Sequence, residues 1–221
     1  MRLEICCRAL WIAERVLTPP LFVRAMLKVV LFDLDNTLID RNAAFEACVR
    51  EMFSDPALRR EIIDVDAGGI GERAAVFELW EKLGGQRINQ SVLGQMISER
   101  IRPDPGLLHV LQDISRSVGV GIISNGSGET QRRKLRGAGL DAVFGKHVWI
   151  SEEVGSAKPD VRIFKKAMQT LGVRPKACLY IGDRDEIDLR GAHAAGMRAR
   201  IVNGVLSGPR LSELFDEEAV R

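Results

Sequence analysis

Apolar residues recur along this chain in two rhythms. One is the short continuous run: "KVVLF" from Lys28, "GVGIIS" (Gly119 to Ser124), "HVWIS" (His147 to Ser151), "CLYIG" (Cys178 to Gly182) and "RARIV" (Arg198 to Val202). Runs without polar alternation are what strands need when both faces of a sheet are covered. The other rhythm is helical. In "DVRIFKKAMQTLG", Val161, Phe164, Met168 and Leu171 form one stripe, and Gly172 can end the helix. Strands alternating with helices predict an α/β fold, a Rossmann-like parallel sheet flanked by helices. Right-handed crossovers then bring the carboxyl ends of the strands to one rim, where such sheets bind ligands.

One segment breaks the alternation. From about Arg41 to Arg102 the pattern is helical only, with stripes at Phe45, Cys48, Val49 and Met52, at Val76, Phe77, Trp80 and Leu83, and at Val92, Leu93, Met96 and Ile97. Breaks fall near Asp55-Pro56, Gly68-Gly69 and Gly84-Gly85. This predicts an all-helical subdomain over residues 41–102, inserted after the first strand, with residues 26–40 and 103–221 forming the core. Residues 1–25 read as an N-terminal extension. Leu3, Cys7, Leu10, Ala13 and Leu17 have helical spacing, but Arg8, Glu14 and Arg15 interrupt the apolar core a secretory signal needs. Pro19-Pro20 breaks any helix, and Met26 stands at the edge of the first strand. The expectation is a dispensable extension, with Met26 as a candidate start.

Composition narrows the picture only a little. The 221 residues are 46% apolar and 28% charged, with a net charge of +2. That balance is ordinary for a soluble protein and gives no sign of a nucleic-acid polymer as partner. No apolar run is long enough for stable membrane insertion. Cys6, Cys7, Cys48 and Cys178 have neither metal-ligand spacing nor disulfide-scaffold density, which predicts a reducing, cytoplasmic location.

The candidate chemistry sits at the strand ends. "VVLF" runs directly into Asp33-Leu34-Asp35. Two carboxylates this close disfavour each other's ionisation, so compensation is expected. The second strand ends in Ser124-Asn125-Gly126, a hydroxyl and backbone N–H groups suited to phosphate oxygens. Lys158 precedes Pro159 after the third strand, and the fourth ends in Gly182-Asp183 with Asp188 further on. Singly, each aspartate reads as a helix cap or turn residue. Together, Asp33, Asp35, Asp183 and Asp188 on one rim form a hard oxygen site that fits Mg²⁺, with Lys158 neutralising part of the charge.

In this order the motifs resemble the haloacid dehalogenase-like hydrolases. That family's Asp-x-Asp-x-Thr corresponds to Asp33, Asp35 and Thr37; its Ser/Thr, Lys and paired acidic positions correspond to Ser124, Lys158, Asp183 and Asp188. The resemblance spans about Lys28 to Asn203, and the helical insertion falls where the family carries its type-one cap. The stretches around "SNGSGETQ" and "SEEVGSAKPD" also look like the nucleotidase and small-metabolite phosphatase branch.

The resemblance implies a Mg²⁺-dependent hydrolase of phosphoric monoesters, acting on a nucleotide or sugar phosphate through an aspartyl-phosphate. Asp33 would be the nucleophile. Asp35 would be general acid and then base. Asp33, the Asp35 carbonyl and Asp183 would ligate the ion, and Asp188 would support it. Thr37, Ser124, Asn125 and Lys158 would form the phosphate-binding set, Thr37 by holding its loop. Arg184 departs from the small polar residue the family often has after Asp183. A dehalogenase, which needs neither metal nor leaving-group acid, is opposed by Asp35 and the acidic fourth motif. A phosphosugar mutase shares the motifs. A non-catalytic binding module is opposed by the presence of both Asp33 and Asp35. His109, His147 and His193 fall outside the motifs, and Trp80 and Phe77 are expected to pack the insertion's core. Among the insertion's arginines (50, 59, 60, 73 and 87), one is a candidate reader of a remote charge on the substrate. The partner expected is a small phosphorylated metabolite, bound by a monomer or homodimer.

Overall fold

A computed structural model describes residues 27–220, with side chains through residue 216. The reading of residues 1–25 and of Met26 therefore lies outside the described residues. Five strands, β1 (Val29–Phe32), β2 (Gly119–Ser124), β3 (Val148–Ile150), β4 (Cys178–Gly182) and β5 (Arg198–Ile201), form one sheet in the order β3-β2-β1-β4-β5. Every pairing is parallel. β1 is central, and its side chains alternate between two cores: Val30 and Phe32 pack with Ile122, Ile150 and Ile181, while Val29 and Leu31 pack with Ile123, Trp149 and Tyr180. This two-sided burial is why the strand sequences lack polar alternation. β3 is shorter than its apolar run, because Ser151 begins a helical turn, Ser151–Val154.

Between β1 and β2 lie four helices and the helix that returns to the sheet: α1 (Arg41–Met52), α2 (Pro56–Asp66), α3 (Arg73–Lys82), α4 (Gln90–Ser98) and α5 (Pro105–Ser115). Their starts are written in the sequence. Asp40, Asp55, Asn89 and Asp104 each accept a backbone N–H of the first turn. Phe45, Cys48, Val49, Val76, Trp80, Leu93 and Ile97 are buried as the stripes require, whereas Met52 and Val92 end up on the surface. Phe53 meets Trp80 edge to face, with ring centroids 5.1 Å apart. α2 ends in a left-handed Ala67, and Gly68 and Gly69 continue with positive φ into the loop before α3. The chain continues through α6 (Gly128–Gly137) after β2, α7 (Val161–Leu171) after β3, a helical turn at Asp185–Leu189 with α8 (Arg190–Ala194) after β4, and α9 (Gly208–Val220) after β5.

Candidate active site

Asp33 is the first residue beyond β1, and its N–H still pairs across the sheet with the Ile181 carbonyl at 2.8 Å. The chain then folds back. The N–H groups of Leu38 and Ile39 both donate to the Leu34 carbonyl, at 3.0 and 3.1 Å, and Leu34 is fully buried. Asn36 takes a positive φ of 61°, and its side chain accepts the Asn42 N–H at 3.0 Å. This turn fixes Asp33 and Asp35 as neighbours with different surroundings.

Asp33, Asp183 and Asp188 each offer an oxygen within 4.8 Å of the others. Lys158 enters this group: its ammonium donates to Asp33 Oδ1 at 2.6 Å and Asp188 Oδ1 at 2.7 Å, and lies 3.0 Å from the Tyr180 hydroxyl. Asn125 holds Lys158 in place by a reciprocal pair. Its Oδ1 accepts the Lys158 N–H at 2.8 Å and its Nδ2 donates to the Lys158 carbonyl at 3.0 Å. Asn125's side chain is thus committed to the lysine. Gly182 makes room for Asp188, since a Cβ there would lie 2.5 Å from the Asp188 carboxyl carbon.

Asp35 has its own cation. Lys134 Nζ, from the second turn of α6, lies 2.8 Å from both Asp35 oxygens. Gln131, one turn earlier, donates from Nε2 to Asp35 Oδ2 at 2.9 Å and to Ser124 Oγ at 2.6 Å. Sequence reasoning found neither residue. Neither carries a distinguishing signal on the polar helix that begins after Ser124-Asn125-Gly126. Thr37 is fully buried with its hydroxyl unpartnered, outside the cavity lining; its carbonyl accepts the Leu206 N–H at 2.8 Å.

The electrostatics separate the two aspartates. Burial, against the opposing pull of Lys158, pushes Asp33 up to about 7, with the Asp188 charge adding to the rise. Burial also tends to raise Asp35, but Lys134 and Gln131 outweigh it and hold Asp35 below the usual carboxylate range. Asp183 is raised by burial and by Asp188. Lys158 is raised: burial would lower it, but the two aspartates prevail.

The residues fit a hard divalent cation. Asp183 Oδ1 is buried with no hydrogen-bond partner, beside two further carboxylates that have only one lysine between them. A buried orphan acceptor is costly unless something binds it. Asp33, Asp35, Ser124, Lys158 and Asp188 line a cavity of about 620 Å³. Its far wall comes from the segment between β1 and β2: Arg41, Gly68 to Gly71, Arg73, Leu93, Gly94 and Ile97. Asp66, behind this wall, is buried between Arg41 and Arg73 and accepts the Gly69 N–H at 2.9 Å.

Comparison with known proteins places the chain among characterised relatives. The chain is 32% identical over 193 residues to the glyceraldehyde 3-phosphate phosphatase of Methanopyrus kandleri, covering 78% of this chain and 82% of that one. It is 36% identical over 190 residues to the pyrimidine 5'-nucleotidase YjjG of Escherichia coli, covering 76% and 82%. In fold it is similar to the HAD-hydrolase YfnB of Bacillus subtilis bound to magnesium, with a TM-score of 0.66 and 21% identity over 87% of this chain and 98% of that one. It is also similar to the L-2-haloacid dehalogenase of Xanthobacter autotrophicus, with a TM-score of 0.63 and 24% identity over 85% and 82%. Residues 27–196, which carry every site residue described above, match the haloacid dehalogenase-like hydrolase family, and the chain belongs to that family.

Proposed function

We propose that this enzyme is a Mg²⁺-dependent phosphatase that hydrolyses the phosphomonoester of a small metabolite, a nucleotide or sugar phosphate, through an aspartyl-phosphate on Asp33. The observation that carries this reading is the Asp33–Lys158–Asp188 contact set beside the unpartnered Asp183 Oδ1. Phosphatase names among relatives with about a third of their residues identical support phosphoric monoester hydrolysis. The buried, free thiols of Cys48 and Cys178 agree with a reducing, cytoplasmic setting.

Asp33 and Asp183 would hold the ion, with the Asp35 carbonyl. Asp188 contributes charge and fixes Lys158, since its oxygens already accept from Lys158, Tyr180 and the Arg184 N–H. A bound Mg²⁺ would supply positive charge beside the phosphoryl oxygens and would favour the ionised state of Asp33. Lys158 and Ser124 face the same oxygens as charge builds on them. Asp33 attacks phosphorus, the bond from phosphorus to the ester oxygen breaks, and the departing alcohol takes a proton from Asp35. Water then attacks the aspartyl-phosphate. Asp35 accepts its proton, the bond from phosphorus to Asp33 breaks, and inorganic phosphate leaves. Lys134 holds Asp35 ionised in the free enzyme, the state required for the second half. The negative phosphoryl group raises its proton affinity for the first half.

Residues 41–102 serve as a cap over this core, and residues 26–40 and 103–221 as the catalytic body. Ile70, 62% exposed at the tip of the glycine loop, offers an apolar contact to the leaving group. The test is a phosphate-release screen over phosphorylated metabolites with and without Mg²⁺, comparing kcat/KM. Turnover should vanish with EDTA, return with Mg²⁺ and be absent in Asp33→Asn. Full activity in metal-free buffer, or wild-type turnover in that variant, contradicts the proposal.

A further inference from the structure

We infer that Arg184 is a positioning residue that ties the cap's glycine loop to the metal-binding edge of the core, so that one guanidinium both orders the loop and opposes cation binding at Asp183. This rests on the Mg²⁺ reading above. Arg184 follows Asp183 directly, where its backbone N–H donates to Asp188 Oδ2 at 3.1 Å. Its side chain spans two groups. Nε lies 3.6 Å from Asp183 Oδ2, and Nη2 donates to the Gly68 carbonyl across the cavity. A guanidinium is a planar fork that serves two acceptors at once; an ammonium is a single point and does not bridge them.

The loop is built to receive this contact. Gly68 has a φ of +64°, and a Cβ there would lie only 3.2 Å from Arg184 Nη2. Its neighbour Gly69 is held from behind by Asp66, which is paired with Arg41 and Arg73. Arg184 is the hold from the core side. The Asp183 oxygen that faces it is Oδ2, which leaves Oδ1 as the buried unpartnered atom. The guanidinium thus occupies one side of the carboxylate and leaves Oδ1 as the oxygen that would meet a cation.

Two consequences follow from charge alone. Arg184 places a positive charge beside a cation ligand, so it opposes cation binding. A cation on Asp183 in turn weakens the Asp183–Arg184 attraction, leaving the guanidinium to the Gly68 carbonyl. Linkage requires the effect to be reciprocal.

The test uses Arg184→Met, which removes charge and tether, and Arg184→Lys, which keeps the charge but cannot bridge. Amide exchange at Gly68 to Gly71 is measured by mass spectrometry, and Mg²⁺ affinity by calorimetry without substrate. Loop exchange should quicken about tenfold in both variants, the worth of one charge-assisted hydrogen bond. Mg²⁺ should bind about fivefold more tightly to Arg184→Met at low salt, and within about twofold of wild type to Arg184→Lys. kcat/KM should fall about tenfold in both as the loop loosens. Unchanged loop exchange in both variants overturns the tether. Unchanged or weaker Mg²⁺ binding in Arg184→Met overturns the linkage. Neither readout needs turnover, so a wild type that releases no phosphate counts against the phosphatase reading and is told apart from failure of the tie.

Discussion

The Lys134 ammonium lies 2.8 Å from both oxygens of Asp35, although the two residues are 99 positions apart in the chain. The lysine side chain is 6% exposed and the aspartate's 25%. Removing one partner of a buried pair leaves the other uncompensated, at a cost of about 3–5 kcal/mol. Partial exposure lets water reach Asp35, so Lys134→Met should fall at the lower end, a loss of about 3 kcal/mol in urea unfolding. Asp35 then loses both its orientation and its depressed proton affinity, and kcat should fall about 10²-fold, the typical worth of a placed acid–base group. A variant with wild-type stability and kcat would show that the pair is incidental.

Asp33 should be a liability to the metal-free fold. Its raised proton affinity, near 7, means the folded state binds the proton more tightly than the unfolded chain does. Stability from this group is therefore fully present below the unfolded value and lost as pH rises through about 7. Asp33→Asn lacks this dependence. In EDTA at pH 8 the inactive variant should melt above the wild type, and the gap should close as pH falls through 6 toward 4. A gap that widens on acidification would reverse the sign assigned to Asp33.

The residues legible from sequence sit mostly at strand ends, where a short run locates them without knowledge of the packing. Asp33, Ser124 and Asp183 were placed this way, and Lys158 by the extended segment before its helix. The helices between β1 and β2 are equally legible, because caps such as Asp55 and breaks such as Gly68-Gly69 are local signals. Gln131 and Lys134 were not legible. On a helix as polar as "GETQRRKLRG", nothing local distinguishes the lysine that turns inward from the arginines that stay at the surface. Asp66 was hidden for the same reason: its partner Arg41 is 25 positions away, and only the tertiary fold buries them together. The side-chain clamp of Asn125 on Lys158 is hidden likewise, because it depends on a contact 33 positions distant.

That hidden cluster predicts a stability hierarchy among the helices between β1 and β2. Asp66 is 2% exposed and accepts from Arg41, Arg73 and the Gly69 N–H. Asp66→Ala strands the buried Arg41 and should cost about 3–5 kcal/mol. Arg73 is 27% exposed, and its loss leaves the Arg41–Asp66 pair intact. Arg73→Met should therefore cost about 1 kcal/mol or less. Chemical denaturation of the two variants checks the order, and equal losses would mean that Arg73, not Arg41, carries the pairing of Asp66.

Where α4 meets α6, packing rather than charge sets the tolerance. Gly94 of α4 lies against Thr130 of α6, and a Cβ at Gly94 would come 2.4 Å from Thr130 Oγ1 and 2.8 Å from its Cγ2. Both residues line the cavity, and α6 also carries Gln131 and Lys134. Gly94→Ala must push the helices apart or force Thr130 off its rotamer, a cost of about 1–3 kcal/mol for overpacking. Pushing α6 also shifts the groups that hold Asp35, so kcat/KM should fall with stability. Thr130→Ala removes the two clashing atoms and leaves only its Cβ, at 3.1 Å. The double variant should then recover part of the loss, with a coupling energy of about 0.5–3 kcal/mol in a double-mutant cycle. Strict additivity would mean that Gly94 is relieved by some route other than Thr130, and that the α4–α6 contact does not set the width of the site.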